Sequence, residues 1–258
     1  MAKGIKITEK SYLEESLSRK RKKSVAKKNR IRGLTPHVVE IIIYGFVILL
    51  LSVGTYGRNG IWNSELELWT DCVKKSPNKE RPYTSLGFVF LSQGKYDEAI
   101  PHLNEALRIN PNYAEAHYNL GNVFSKQGKY QEATNQYNEV LRINPNDADA
   151  HTNLGNVFLR QGKYQEATNR YNEALRINPN LAEAHNSLGF VFLSRGKYDE
   201  AILHLNEALR INPNYAEAHY LLGDAYLMMG NRNSALRQCE ILKTMNPNLA
   251  NSLYQKIR

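Results

Sequence analysis

Apolar and polar residues alternate with a helical period through most of the chain after residue 80. Ala116, Leu120 and Phe124 fall on one face of a first helix, and Ala133 and Tyr137 fall on one face of a second. A polar turn follows every such pair of helices. The pattern therefore predicts an all-α protein built from helical hairpins.

An Asn-Pro or Ser-Pro pair closes each hairpin. These prolines recur at intervals of 34 residues, at Pro77, Pro111, Pro145, Pro179, Pro213 and Pro247. A proline stops the preceding helix because it has no N–H and its ring clashes with the previous turn. Gly128, between the two helices of one hairpin, suits the left-handed backbone that ends a helix. The sequence predicts a repeat of helix, turn and helix.

The third repeat carries its large and small residues in an order that resembles the tetratricopeptide (TPR) repeat. These residues are His151, Leu154, Gly155, Phe158, Gly162, Tyr164, Ala167, Tyr171, Ala174 and Pro179. The resemblance implies five TPR repeats over residues 80–249 and a right-handed superhelix. A capping helix over residues 250–258 is expected to cover the last apolar face. In the same register, residues 60–79 are predicted to form a degenerate half repeat.

The sequences of the repeats also indicate internal duplication. Residues 85–121 and 187–223 are identical at 34 of 37 positions, at an offset of three repeats. The array has therefore grown by copying, which favours an adaptable scaffold over an exacting catalytic site.

A continuous apolar segment precedes the repeats. Residues 38–57 contain a single charged residue, Glu40. As a helix, a segment of this length spans a bilayer core of about 30 Å. We predict a transmembrane signal-anchor helix here, and a signal peptide cleaved near Ser52 is the alternative.

Charge is distributed unevenly along the chain. The 34 Lys and Arg residues outnumber the 25 Asp and Glu residues, for a net charge of +9. The whole excess lies in residues 1–37, which hold twelve Lys or Arg and three Glu. A basic segment before an apolar span is typical of a cytoplasmic N-terminus. Residues 1–37 are therefore predicted to be a disordered cytoplasmic arm, and a nucleic-acid partner is not expected.

The predicted localisation follows from this topology. The chain is expected to be a single-pass membrane protein, most simply of a bacterial inner membrane, with the lipid bilayer contacted through residues 38–57. The TPR domain then lies on the periplasmic or extracytoplasmic side. No N-x-Ser/Thr acceptor site for glycosylation occurs in the 258 residues, which agrees with a bacterial setting.

Histidines and cysteines are the candidates for metal or redox chemistry. His117, His151, His185 and His219 recur every 34 residues, each on a different helix, whereas metal ligands must converge on one point. We interpret them as packing residues, and His102 and His204 are expected to face outward. Cys72 and Cys239 are almost five repeats apart and are expected to be free thiols. No catalytic motif is present, so we expect no enzyme, cofactor or metal.

The resemblance implies a binding function, because TPR arrays bind peptides on the concave face, which is lined by the first helices of the repeats. The polar residues predicted there are Tyr118, Asn119, Asn122, Lys126, Asn153, Asn156, Arg160, Asn186 and Tyr220. An Asn amide offers both a donor and an acceptor to the main chain of an extended peptide. The alternative is a solvated face with no fixed ligand.

Part of this set resembles the carboxylate clamp of chaperone-binding TPR domains. Asn122 and Asn153 match two of its positions, but Tyr118 and Glu183 stand where the clamp has lysines. A C-terminal carboxylate is therefore not the expected ligand.

The segment before the repeats is similar to the junction between the last membrane helix and the TPR tail in O-mannosyltransferase-like membrane proteins. The matching residues are Tyr56, Gly57, Arg58, Asn59, Trp62, Leu68, Trp69, Pro77, Asn78, Leu86 and Gly87. Catalysis in that family belongs to a multi-span portion that this sequence does not contain. The similarity implies a common origin.

Three functions remain open. The first is a membrane-anchored TPR scaffold that binds a protein or an extended peptide. The second is an accessory or remnant subunit of a membrane glycosyltransferase, and the third is a self-associating structural protein. Partner identity and oligomeric state are not predicted.

Overall fold

The computed structural model describes residues 16–22 and residues 64–258. Residues 16–22 form a short helix inside the arm that was predicted to be disordered, and the rest of that arm lies outside the described residues. The predicted span over residues 38–57 and the start of the predicted half repeat lie outside these ranges. Within the described ranges, no helix has both the length and the apolar character needed to cross a bilayer. The membrane anchor therefore stays a prediction.

Twelve helices make up residues 64–258, and the all-α repeat solenoid predicted from the sequence is confirmed. Helix α1 spans Glu65–Lys75, and five hairpins follow, which we call repeats 1 to 5. The hairpins pair α2 (Glu80–Ser92) with α3 (Tyr96–Ile109), α4 (Ala114–Lys126) with α5 (Tyr130–Ile143), α6 (Ala148–Arg160) with α7 (Tyr164–Ile177), α8 (Ala182–Ser194) with α9 (Tyr198–Ile211), and α10 (Ala216–Met228) with α11 (Arg232–Met245). Helix α12 spans Pro247–Ile257.

Two kinds of turn fix the repeat. Within a hairpin, Gly128 has a φ of 74°, and the Lys129 N–H donates to the Phe124 carbonyl at 2.9 Å, which closes the end of α4. Between hairpins, the Asn110 side chain accepts a hydrogen bond from the Asn112 N–H at 3.1 Å. The glycine and the Asn-Pro pair therefore act at different turns, one reversing the chain inside a repeat and the other starting the next repeat.

The contacts between repeats show which helices form the concave face. Successive first helices (α2, α4, α6, α8 and α10) pack against one another, whereas the second helices of successive repeats do not approach each other anywhere in residues 64–258. An array whose successive helices lie closer together on one side curves toward that side. We therefore call the first helices the inner helices and α3, α5, α7, α9 and α11 the outer helices.

Glycines on the inner helices let the outer helices approach closely. A Cβ on Gly155 would lie 2.6 Å from Cε1 of Tyr171, and one on Gly87 would lie 2.6 Å from Cγ of Leu103. Both large side chains are completely buried. The interior is thus close-packed at this crossing, and an extra methyl group there has no room.

The last repeat ends differently. Cys239 occupies the position that Tyr137, Tyr171 or Leu205 holds in earlier repeats, and Leu253 from α12 packs over Gly223 in the space that the smaller Cys239 leaves. The Cys239 thiol donates to the Ala250 carbonyl at 3.2 Å.

Helix α12 begins at Pro247, three residues before the predicted cap at residue 250. The earlier start has a local cause, because the Asn246 side chain accepts from the Leu249 N–H at 3.2 Å and Pro247 fits the first helical turn. Ala250, Leu253 and Ile257 form the buried face of α12, and Lys256 forms a 2.8 Å ion pair with Asp224 of α10. The helix therefore closes the apolar end of the array.

Candidate functional site

A groove of about 1090 Å³ runs across the inner helices of repeats 2, 3 and 4. Five of the nine predicted binding residues line it, namely Asn122, Lys126, Asn153, Asn156 and Arg160. The helical repeat places these residues together because equivalent positions of α4 and α6 face the same side. Its volume exceeds that of three other cavities in residues 64–258, which measure about 280, 320 and 180 Å³.

Two tyrosines from the outer helices support the asparagines of the groove. The Tyr137 hydroxyl donates to Oδ1 of Asn122 at 2.7 Å, and the Tyr171 hydroxyl donates to Oδ1 of Asn156 at 2.7 Å. Each ring passes over the neighbouring inner-helix glycine to reach this position. Burial raises the pKa of both tyrosines, so they stay neutral donors. The bonds fix the orientation of the two amides.

Further hydrogen bonds link successive inner helices. Nδ2 of Asn153 donates to the Tyr118 hydroxyl at 2.7 Å, and Nδ2 of Asn156 donates to Oε1 of Glu183 at 3.0 Å. Burial raises the pKa of Tyr118 to about 12, with a smaller contribution from Asp149. The groove therefore has a polar floor whose side chains are held in place before any ligand binds.

The remaining predicted residues lie beside the groove or below it. Asn186 and Tyr220 line a smaller cavity of about 280 Å³. Tyr118 lines another, of about 320 Å³. Asn119 is only 5% exposed, so its predicted place on the binding surface is corrected. The equivalent Asn153 donates to Tyr118 of the preceding inner helix but is only half-buried, so it still lines the groove.

Sequence reasoning missed several groove residues. Leu159 and Phe190 line both the main groove and the smaller cavity, and Phe190 is 39% exposed. Tyr137 lies at the floor and Glu183 at the wall. A signal for Phe190 was present, because it occupies the repeat position of Asn122 and Asn156.

The four periodic histidines pack beside the turns between repeats. Nε2 of His117, His151, His185 and His219 lies 3.0 to 3.2 Å from the carbonyl of the proline six residues earlier. Because a carbonyl only accepts, each Nε2 donates. Within the described residues, no group of three or more His, Cys, Asp or Glu side chains is arranged to hold a metal ion.

The outward orientation expected for His102 and His204 is wrong. His102 stacks on Phe90 with ring centroids 5.4 Å apart, and His204 stacks on Phe192 at 5.4 Å. Burial lowers the pKa of both imidazoles. They face the inner helix of their own hairpin because the ring fills space against phenylalanine. Cys72 and Cys239 are both free.

Comparison with known families identifies the repeats. A family model described as TPR repeat matches residues 87–128, 121–162, 155–194 and 191–230, which together make up more than half of the chain. The chain belongs to the TPR repeat family. A comparison of this TPR protein with curated proteins gives no match.

Solved structures similar to this TPR protein show the same fold. YrrB, described as a TPR protein with an unusual peptide-binding site, has a TM-score of 0.56 and 24% identity over 74% of this chain and 99% of its own. A thermophilic TPR protein of Thermus thermophilus has a TM-score of 0.58 and 26% identity over 69% of this chain and 98% of its own. MamA from Desulfovibrio magneticus has a TM-score of 0.58 and 22% identity, covering 66% of this chain and 96% of its own.

Proposed function

We propose that this TPR protein is a membrane-anchored scaffold that binds an extended segment of a partner protein along its inner helices. The observation that carries the proposal is the groove of about 1090 Å³, with asparagine amides oriented by buried tyrosines. A surface whose polar groups are already ordered loses less conformational entropy when a ligand binds.

The shape of the groove favours a chain over a small molecule. It crosses three repeats, is open to solvent and is lined by a mixture of amide, charged and aromatic side chains. An extended peptide presents main-chain donors and acceptors at regular intervals, which suits a row of equivalent side chains one repeat apart. The peptide-binding site named for YrrB supports the same interpretation for this chain.

Anchoring is proposed from the sequence alone. Residues 1–37 carry the positive excess and residues 38–57 are long and apolar enough to span a bilayer. The scaffold would then hold its partner close to the extracytoplasmic membrane surface. Protease added to intact spheroplasts should remove the repeats while leaving the N-terminal arm protected, and protection of the repeats would contradict this orientation.

Site-specific photocrosslinking in the native membrane tests the binding proposal. The full chain carries p-benzoyl-phenylalanine either at Ser125, which lines the groove, or at Asn169, which is exposed on outer helix α7. We expect a discrete protein adduct from position 125 that is absent from position 169. The proposal fails if both positions give the same adducts or if position 125 gives none.

A further inference from the structure

Two cations line the groove without an ion-pair partner in residues 64–258. Lys126 and Arg160 stand at equivalent positions of α4 and α6, and neither forms an ion pair or hydrogen bond within residues 64–258. By contrast, the arginine in the last turn of each of the outer helices α3, α5, α7 and α9 pairs with a glutamate three residues earlier. These outer pairs are Arg108 with Glu105, Arg142 with Glu139, Arg176 with Glu173, and Arg210 with Glu207.

Among the five repeats, only repeats 2 and 3 carry a cation at this position of the inner helix. In repeats 1, 4 and 5 the same position holds Ser92, Ser194 and Met228. Positive side chains therefore occur at this position only in the two repeats whose inner helices carry Asn122 and Asn156. Two unpaired like charges facing one groove attract an anionic group.

Glu183 is the acidic side chain on the groove wall, and its presence follows from helix structure. Glu115, Asp149 and Glu217 hold the same position in other repeats, in the first turn of an inner helix, where the helix dipole favours an acid. The Glu183 carboxylate accepts a hydrogen bond from Nδ2 of Asn156, so it is already engaged by the polar floor.

An apolar surface borders the same groove. Phe190 is 39% exposed, and it lines both the groove and the adjoining smaller cavity together with Leu159. Covering such a surface is favourable at about 25 cal/mol per Å² of apolar area. A ligand side chain that rests on Phe190 and Leu159 therefore has to be large and apolar.

We propose that the groove selects extended protein segments in which an acidic side chain lies close to a large apolar one. The acid meets Lys126 and Arg160, and the apolar side chain meets Leu159 and Phe190. This inference rests on the proposed function, because it names the chemistry of the segment that the same groove binds.

Selection from a library of random 12-residue peptides, displayed on phage and panned against the detergent-solubilised full chain, tests the proposal. We expect the wild-type chain to enrich Asp or Glu near Leu, Ile, Met or Phe. The double variant Lys126→Glu/Arg160→Glu should lose the acidic preference and bind the wild-type peptides at least about tenfold more weakly. Phe190→Ala should lose the apolar preference and keep the acidic one.

The matched control reverses two cations on the outer helices. Arg142→Glu/Arg176→Glu changes the net charge by the same amount, and both side chains are more than half exposed. This variant should select the same peptides as the wild type with unchanged affinity. Acidic enrichment that also disappears in the control would assign the preference to net charge and overturn the proposal.

Two further outcomes distinguish a failure of this inference from a failure of the proposed binding function. If groove-bound peptides are selected but Lys126→Glu/Arg160→Glu binds them equally well, the ligand chemistry is wrong and the binding function stands. If no selected peptide blocks crosslinking from position 125, the proposed function fails together with the inference. Far-UV circular dichroism of each variant confirms that the helices are intact.

Discussion

Repeats 2 and 3 differ from repeats 1 and 4 at two positions that change together. Repeats 2 and 3 combine an outer-helix tyrosine with an inner-helix asparagine, as in Tyr171 and Asn156. Repeats 1 and 4 combine leucine with phenylalanine, as in Leu205 and Phe190. Tyr171 and Leu205 are both completely buried over a glycine. The two pairs are alternative solutions to the same packing problem.

The difference shows how the core sets the chemistry of the surface. A tyrosine at this position carries its hydroxyl to the inner face, where it requires an acceptor, and asparagine supplies one at 2.7 Å. A leucine ends below the surface and leaves the inner position free to hold phenylalanine. Phe88 and Phe190, 53% and 39% exposed, therefore flank a polar centre formed by Asn122 and Asn156.

The largest effect is expected when Tyr171 or Leu205 is truncated to alanine, which tests whether the two side chains contribute equally to core packing. Tyr171→Ala should lower the free energy of unfolding by about 3–5 kcal/mol, and Leu205→Ala by about 2–5 kcal/mol, because each leaves a cavity over glycine. Urea denaturation of the full chain measures both losses. Tyr164→Ala, at a residue that is 40% exposed, is the control and should cost far less. A loss below about 1 kcal/mol for Tyr171→Ala would show that the two positions are not equivalent.

High pH should distinguish the two kinds of repeat. Burial raises the pKa of Tyr137 and Tyr171 in the folded state, whereas an unfolded tyrosine ionises near pH 10. Below pH 10 both states keep the proton. Above it only the unfolded state loses the proton, so the free energy of unfolding falls by up to about 1.4 kcal/mol per pH unit for each tyrosine.

Urea midpoints at pH 9, 10 and 11 measure this dependence. The variant Tyr137→Phe/Tyr171→Phe should show a clearly shallower decline of unfolding free energy with pH than the wild type, because phenylalanine has no hydroxyl to ionise. Repeats 1 and 4 carry leucine at this position and contribute no such ionisation in either protein. Equal slopes for the two proteins would mean that the buried hydroxyls do not resist ionisation.

The smallest effect isolates the hydrogen bond between Tyr171 and Asn156. Tyr171→Phe should cost about 1 kcal/mol of unfolding free energy, since the Asn156 oxygen loses its short bond. A double-mutant cycle with Asn156→Ala should give a coupling energy of similar size. Tyr164→Phe is the control, because the Tyr164 hydroxyl forms no hydrogen bond within the described residues, and it should change little. Strict additivity of the two changes would argue against the coupled pair.

Much of the fold follows from local features of the sequence. The prolines at intervals of 34 residues and the glycines between helices predict where each hairpin begins and turns. The φ of 74° at Gly128 agrees with the left-handed turn expected there. These features act over a few residues, so they can be recognised without knowledge of what packs above them.

The groove was only partly predictable because it depends on contacts between helices. Helical periodicity identifies the polar side of an inner helix, but it does not show which polar side chains a neighbouring helix covers, as happens at Asn119. The Tyr137 to Asn122 bond joins residues on different helices, 15 positions apart. The internal repeats do carry a signal, because tyrosine with asparagine and leucine with phenylalanine substitute as pairs.

The cysteine in repeat 5 limits how the array can evolve. Cys239 leaves a space that is filled only because Leu253 follows on α12, so repeat 5 and its final helix form one inseparable module. A copy of repeat 5 placed in the interior would bring the small residue without the helix that compensates for it. The segments over residues 85–121 and 187–223, identical at 34 of 37 positions, carry no such dependence and can be copied freely. Gene duplication can therefore change the number of upstream repeats without disturbing the contact of Leu253 with Gly223.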